Sequence, residues 1–377
     1  MVTQIDWAEI EKDVDAQLER AGVVEHADVG LDRAQVESHA RAIAAGDLSK
    51  ASNIVPGEVR AAGGEHVDSL EGLSKRESGE LEELGREAIA RGRVAVAVLN
   101  GGMATRFGGD VKGIIPALGG RTFLEVKLAQ ARRFGPVPFL IMNSFATHAR
   151  TLEFLAARGL DADVEVFLQS VSLRLTPSGE VLRDAEGRVS LYAPGHGDFP
   201  GALRRSGLLE RLAARGVETV VLSNIDNLGA ELDPLVIGFH LARGRALTAE
   251  LAATLPADVG GAPAFVGGRL QIVEGFRFPP GFDFATVPFM ATNTFAIARE
   301  LLERDYPLSW FYVEKSVEDR TAVQMERLVN ELSSFVPTSY LATPRSGPSG
   351  RFFPIKTRAD LEALRADAAL VRRFAGL

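Results

Sequence analysis

The sequence contains no cysteine. Disulfides, thiolate metal sites and cysteine nucleophiles are therefore excluded, which fits a reducing compartment such as the cytoplasm. No apolar run approaches the ~18 residues of a membrane span. The first residues, MVTQIDWAEIEKDV, are acidic and amphipathic rather than basic and then apolar, so no secretory signal is expected there. An excess of positive charge is also missing. Lys and Arg number 42 against 50 Asp and Glu, a net charge of −8, which argues against a nucleic-acid partner. It does not argue against phosphate ligands, which a few local lysines can hold. Neither G-x-G-x-x-G nor G-x-x-x-x-G-K-[ST] occurs, there is no G-x-S-x-G nucleophile elbow, and no histidine spacing suits zinc. Acyl transfer and metallohydrolysis fall away. A soluble cytoplasmic protein without a membrane or nucleic-acid partner is the expectation.

What remains is an ordinary globular balance, 46% apolar and 24% charged over 377 residues, enough for one large α/β domain with additions. Residues 6–50 read as helices, with Ile10, Val14 and Leu18 on one face and Gly22 stopping the first. Residues 51–75 have no clear period and read as a connection. A helix over 80–91 then leads into alternating strands and helices. Strands are expected over 94–99, 138–143, 164–168, 218–223, 246–253 and 269–273, and a β-hairpin over 173–191. Helices are expected from the Thr122–Glu125 capping box to 133, then to 158, over 201–215 and over 233–242. This alternation predicts a doubly wound, mostly parallel sheet.

The richest segment is VAVAVLNGGMATRFGGDVK at 94–112. A short valine-rich apolar run reads as a parallel strand buried on both faces. It passes straight into Asn100-Gly101-Gly102, and paired glycines let backbone N–H groups approach a ligand beyond the carboxyl end of the strand. Lys112 beyond them points to phosphate, although a glycine pair also serves a plain turn. Asn224 and Asp226 follow the run Thr219–Leu222 in the same way. An aspartate there suits Mg2+, although an isolated one after a strand more often makes an Asx turn or helix cap. His196 sits between glycines in Pro194–Asp198, and Lys356 follows another apolar run. Basic side chains, one carboxylate and glycine loops together suit phosphoryl or nucleotidyl transfer.

The chain resembles the UDP-glucose pyrophosphorylase family, which includes the related UDP-N-acetylhexosamine enzymes. The matching pieces occur in family order: LNGG at 99–102, Lys112 ten residues before TFLE at 122–125, MNSFATH at 142–148 and FLQS at 167–170. LRL at 173–175, PGHGD at 194–198, SNIDNLGA at 223–230, QIVE at 271–274 and PIKTRADL at 354–361 complete the series. The resemblance implies a Rossmann-like, GT-A-type fold and transfer of uridylyl from UTP to a sugar-1-phosphate, glucose-1-phosphate first. It further implies that the backbone of Leu99, Asn100, Gly101 and Gly102, with Gln169, reads uracil while Gly195 closes over the base. Lys112 would stabilise the α-phosphate, Asp226 would hold Mg2+, and Lys356 would neutralise phosphates from the far side. His196 and Asn224 would touch the sugar phosphate or bridging phosphates, and Glu274 and Asn293 the sugar hydroxyls.

Several positions depart from the family pattern. Ala104 replaces a glycine, the loop to Lys112 is one residue short, and Arg106 follows the N-acetylhexosamine branch. The glucose branch's DVKGG is Asp258 to Gly261 without the lysine, and its NTNN is Ala291-Thr292-Asn293-Thr294. The alternatives are a UDP-N-acetylhexosamine or broad-specificity enzyme and, in another class, a silent UDP-sugar-binding regulator. An N-terminal helical segment over 1–75, a catalytic domain over 76–363 and a helical tail over 364–377 are expected. So are the absence of the family's carboxyl-terminal β-helix and, with it, a monomer.

Overall fold

The computed structural model describes residues 5–23, 29–104, 109–256, 258 and 260–375. Valine and alanine fill the strand Val94–Leu99, whose first five residues are buried. Ala95 and Ala97 face one apolar core, while Val94, Val96 and Val98 face another on the opposite side of the sheet. This is the two-sided burial that a continuous apolar run predicts. The strand lies within an eight-stranded sheet ordered Asp68–Ser69, Thr338–Ala342, Leu247–Ala253, Phe289–Ala298, Thr219–Asn224, Val94–Leu99, Phe139–Asn143, Glu165–Leu168. Phe289–Ala298 runs antiparallel to both neighbours, and every other pair is parallel. The expected mostly parallel α/β sheet is present, with one reversed strand.

Helix punctuation follows the sequence signals. Thr122 and Glu125 form the capping box of Phe123–Arg132, and Gly159 ends Phe145–Arg158 in the left-handed region. The helix expected over 201–215 is instead two, Phe199–Arg205 and Leu208–Ala214, broken at Gly207 with φ +67. The expected hairpin pairs Ser172–Leu173 with Leu191–Tyr192. Within it, the bridges Leu175–Val181 and Arg183–Val189 close two successive turns.

Ile10, Val14 and Leu18 of the helix Trp7–Arg20 pack on Leu173, Leu175 and Leu191 of that hairpin. Gln17 Nε2 donates to Val189 O at 2.9 Å and Val189 N donates to Asp13 Oδ2 at 2.6 Å. Residues 51–75 contribute two short strands rather than a bare connection. Val59–Ala61 pairs with Ala262–Val266, and Asp68–Ser69 edges the main sheet. Near the other end of the chain, Leu361, Leu364, Leu370 and Phe374 enter the core beside the strand Val94–Leu99. Among the described residues no helix is long and apolar enough to cross a membrane.

Candidate active site

Register brings three strand ends level. Asn224 pairs with Leu99, and Leu99 pairs with Met142. A cleft of about 310 Å3 opens just beyond them. Of the residues singled out in the sequence, all but Asn100, Glu274 and Asn293 line it.

Asp226 is its electrostatic centre. Its Oδ2 accepts from Lys112 Nζ at 2.8 Å and from Lys356 Nζ at 3.0 Å. Burial pushes the carboxyl pKa up, but the ammonium groups of Lys356 and Lys112 outweigh it and hold the pKa below the usual carboxylate range. Asp226 is thus ionised at neutral pH. Its Oδ1 is buried and has no hydrogen-bond partner among the described residues. An ionised carboxylate with one oxygen unpartnered among the described residues fits Mg2+, which takes one or two carboxylates and completes its shell with phosphate oxygens and water. The acidic group Asp184, Glu186 and Glu318 lies outside the cleft and is paired with Arg188 and Arg320.

Each lysine is positioned by a buried asparagine. Asn100 Nδ2 donates to Asn143 Oδ1 at 2.7 Å and to Thr151 Oγ1 at 3.1 Å, and its Oδ1 accepts from Gly113 N at 3.2 Å. Its backbone N–H donates to Met142 O at 2.8 Å. Asn100 therefore sets the turn that carries Lys112, and its polar groups are spent inside the protein. Asn227 does the same for Lys356. Its Oδ1 accepts from Phe353 N at 2.9 Å, its Nδ2 donates to Arg351 O at 3.1 Å, and it forms a backbone bridge with Pro354. Ile355 N then donates to Asp226 O at 3.0 Å.

Beneath this loop is a buried charge network that sequence reasoning missed. Arg351 makes a bidentate pair with Glu250 at 2.6 and 2.7 Å and reaches Asp233 at 3.1 Å. Arg373 pairs with Glu231 at 2.7 Å. Lys127 Nζ donates to Ala230 O at 2.7 Å and to Ser223 Oγ at 3.4 Å, joining the two ends of the Asp226 loop. Burial lowers the Lys127 pKa to about 7 against the opposing field of Glu231. The only sequence signal was the apolar setting of Lys127, between Val126 and Leu128.

On the opposite wall, a Cβ at Gly101 would stand 2.0 Å from Gln169 Nε2, whereas one at Gly102 would meet nothing. Glycine at 101 is what lets Gln169 lie over the strand end, and the buried Gln169 Oε1 has no partner among the described residues. Gly195 takes φ +91, with Arg327 O 2.7 Å from where its Cβ would be. His196 Nδ1 accepts from Val329 N at 3.0 Å, so the ring carries its proton on Nε2. Burial, helped by Lys356, lowers its pKa to about 4 and keeps it neutral. Asp198, wholly buried, ties this loop to Ser170 N at 2.6 Å and to Arg205 and Arg327 at 3.1 and 2.9 Å.

Residues 46–373 match the family model for UTP–glucose-1-phosphate uridylyltransferase. The chain belongs to that family. Curated UTP–glucose-1-phosphate uridylyltransferases of Encephalitozoon cuniculi and Solanum tuberosum are each 29% identical to it, over 71% and 73% of this chain and 57% and 61% of their own length. The chain thus spans about three fifths of the curated relatives that it matches. A crystal structure of UDP-glucose phosphorylase from Trypanosoma brucei is similar with TM-score 0.73 and 25% identity, covering 95% of this chain and 79% of that one. The fold is shared as well with the uridine diphosphate N-acetylglucosamine pyrophosphorylase of the same organism, at TM-score 0.77 and 18% identity over 95% and 82% of the two chains.

Within this uridylyltransferase-family fold, Asn293 and Glu274 stand one step back from the cleft. Asn293 Nδ2 donates to Asn224 Oδ1 at 2.8 Å, which links it to the lining. It adopts φ +55 in mid-strand, where the register with Leu247–Ala253 shifts. A bulge of this kind re-aims a side chain. Glu274 follows the strand Arg269–Val273 and accepts from Asn330 Nδ2. Its pKa is raised by burial, with Asn330 and Arg277 opposing. Arg106 and the side chain of Ala104 lie outside the described residues.

Proposed function

We propose that this chain is a uridylyltransferase forming a UDP-sugar and pyrophosphate from UTP and a sugar-1-phosphate, with glucose-1-phosphate the leading acceptor. The observation that carries this reading is the convergence of Lys112 and Lys356 on the ionised Asp226, in a cleft at the carboxyl ends of parallel strands. Two fixed ammonium groups stabilise negative charge that grows on an α-phosphate. A phosphate oxygen of the sugar-1-phosphate attacks the α-phosphorus of UTP, the bond to the β-phosphate's bridging oxygen breaks, and pyrophosphate leaves with that charge. No covalent enzyme intermediate is required. Mg2+ bound at Asp226 would supply charge neutralisation and orientation of the UTP phosphates. Neutral His196 offers its Nε2–H to a phosphate oxygen in any charge state of the ligand. Gln169 and the glycine-lined strand end receive the uracil. In this reading residues 76–363 form a GT-A-type catalytic unit, with the amino-terminal helices docked on its hairpin.

The test is pyrophosphate release from UTP and Mg2+ with a panel of sugar-1-phosphates. Release with glucose-1-phosphate supports the proposal, and release with N-acetylhexosamine phosphates alone moves the chain to the other branch. Silence across the panel with UDP-glucose still bound would sink transfer in favour of a binding protein.

A further inference from the structure

Two buried or half-buried amides beyond the cleft have the same half-used pattern. Asn293 gives its Nδ2 to Asn224, and its Oδ1 is a buried atom with no partner among the described residues. Asn330, only 5% exposed, gives its Nδ2 to Glu274, and its Oδ1 is likewise buried and unpartnered. An unmatched buried acceptor is destabilising and calls for an explanation. In each case the orientation is fixed by the acceptor that holds the nitrogen. Turning Asn330 over would set its carbonyl oxygen against a Glu274 carboxylate oxygen.

Asn330 is also held in place by its backbone. Ser333 Oγ donates to Asn330 O at 2.6 Å and accepts from Ile272 N at 2.8 Å, which locks the turn Val329–Ser334 to the strand leading to Glu274. The preceding residue, Val329, donates its N–H to His196, a lining residue of the cleft. Asn330 therefore lies between His196 and Glu274. A Cβ at Gly261 would come 3.1 Å from the same Glu274 Oε1, and Gly261 O accepts from Ala291 N, two residues before Asn293. The groups gathered here are carbonyl and carboxylate acceptors, which are matched by hydroxyl donors.

We infer that Asn330 is a sugar-specificity residue, whose side-chain carbonyl, beside the Glu274 carboxylate, accepts from neighbouring hydroxyls of the hexose in a UDP-hexose. The sugar class is then a hexose-1-phosphate in which those hydroxyls are free. This assignment rests on the uridylyltransferase reading for its ligand, but it is tested by binding rather than turnover.

Isothermal titration of UDP-glucose, of its singly deoxygenated sugar analogues and of UMP into the full chain decides it. Asn330→Ala weakens UDP-glucose about tenfold, the size of one lost hydrogen bond to a hydroxyl, and leaves UMP within about twofold. One deoxy analogue binds wild type about tenfold more weakly than UDP-glucose and binds Asn330→Ala as well as UDP-glucose does. Retained UMP affinity certifies the fold, and Asn330→Ser carries the same expectation should the alanine variant not fold. Equal weakening of UMP and UDP-glucose, or discrimination that survives at every hydroxyl, overturns the inference in favour of a structural role. So does wild type that binds UMP but not UDP-glucose. Wild type that binds UDP-glucose with the expected variant pattern yet releases no pyrophosphate would sink transfer while leaving Asn330 assigned.

Discussion

Lys112 and Lys356 grip the same carboxylate oxygen from different dielectric settings. The Lys112 side chain is 14% exposed and that of Lys356 51%. Charge stabilisation strengthens as water is excluded, so the two lysines differ in weight. Lys112→Ala is expected to lower kcat by roughly 100-fold or more, in the range seen when one stabilising donor is removed. Lys356→Ala should lower it by about tenfold, because solvent already screens that charge. Pyrophosphate release at saturating UTP and sugar phosphate measures both, and an unchanged kcat in Lys112→Ala would remove it from the chemistry. At this scale the sequence was informative where a residue sits beside a recognisable strand end, as Lys112 and Asp226 do. Lys356 was an ordinary lysine until the family resemblance picked it out. Asn330 gave no signal and Lys127 only its apolar setting, because their meaning lies in partners such as Glu274 and Ala230, which are distant in sequence.

Strands and loops add a constraint that single residues do not show. Gly101 lies where the strand Val94–Leu99 gives way to the cleft, and a methyl group there collides only with the flexible end of Gln169. Gly101→Ala is therefore expected to fold normally and to push Gln169 aside, raising KM for UTP about tenfold while leaving Tm nearly unchanged. A large fall in Tm would show that the glycine serves the fold instead. Val94–Leu99 was legible because its apolar run has no polar interruption. Phe289–Ala298 was not, since Thr292, Asn293 and Thr294 break the pattern at the very place where the backbone turns to φ +55. The hairpin Phe311–Val317 with Arg320–Glu326 was also missed. Its strands carry interleaved charges, and its turn rests on positive φ at Glu318 and Asp319, without a glycine to announce it.

At the scale of the whole molecule, three histidines among the described residues are held neutral with pKa values of about 4. His39, His196 and His240 are each lowered to about 4 by burial, against an opposing Asp32 field at His39 and with help from Lys356 at His196. Between about pH 6.5 and pH 4 the unfolded chain binds protons at these sites that the folded chain refuses. Their contribution to stability is therefore full above pH 6.5 and is lost as pH falls, by up to about 1.4 kcal/mol per pH unit for each group. Tm is expected to fall from pH 7 to pH 5.5, and His240→Gln should make that slope shallower by up to about a third, His148 also being lowered by burial. A slope unchanged in the variant would show that His240 is not held neutral. The charge network under the cleft belongs to the same scale. Arg351 meets Glu250 across 101 residues of sequence, a separation that no local pattern reveals.

The bridge between Asn227 and Pro354 also sets an order of events on the ribosome. Amino-terminal segments emerge and begin to fold first, so the central strands and Asp226 are made well before Arg351, Lys356 and Arg373. Until those residues emerge, Asp226 lacks one of its two ammonium partners, and the buried carboxylates Glu231 and Glu250 lack the arginines that neutralise them. A nascent chain halted before residue 351 would hold Glu250 in its interior without Arg351 and Asp226 with Lys112 but not Lys356. The pairing of both lysines with Asp226 is therefore complete only after a segment made well behind it has emerged.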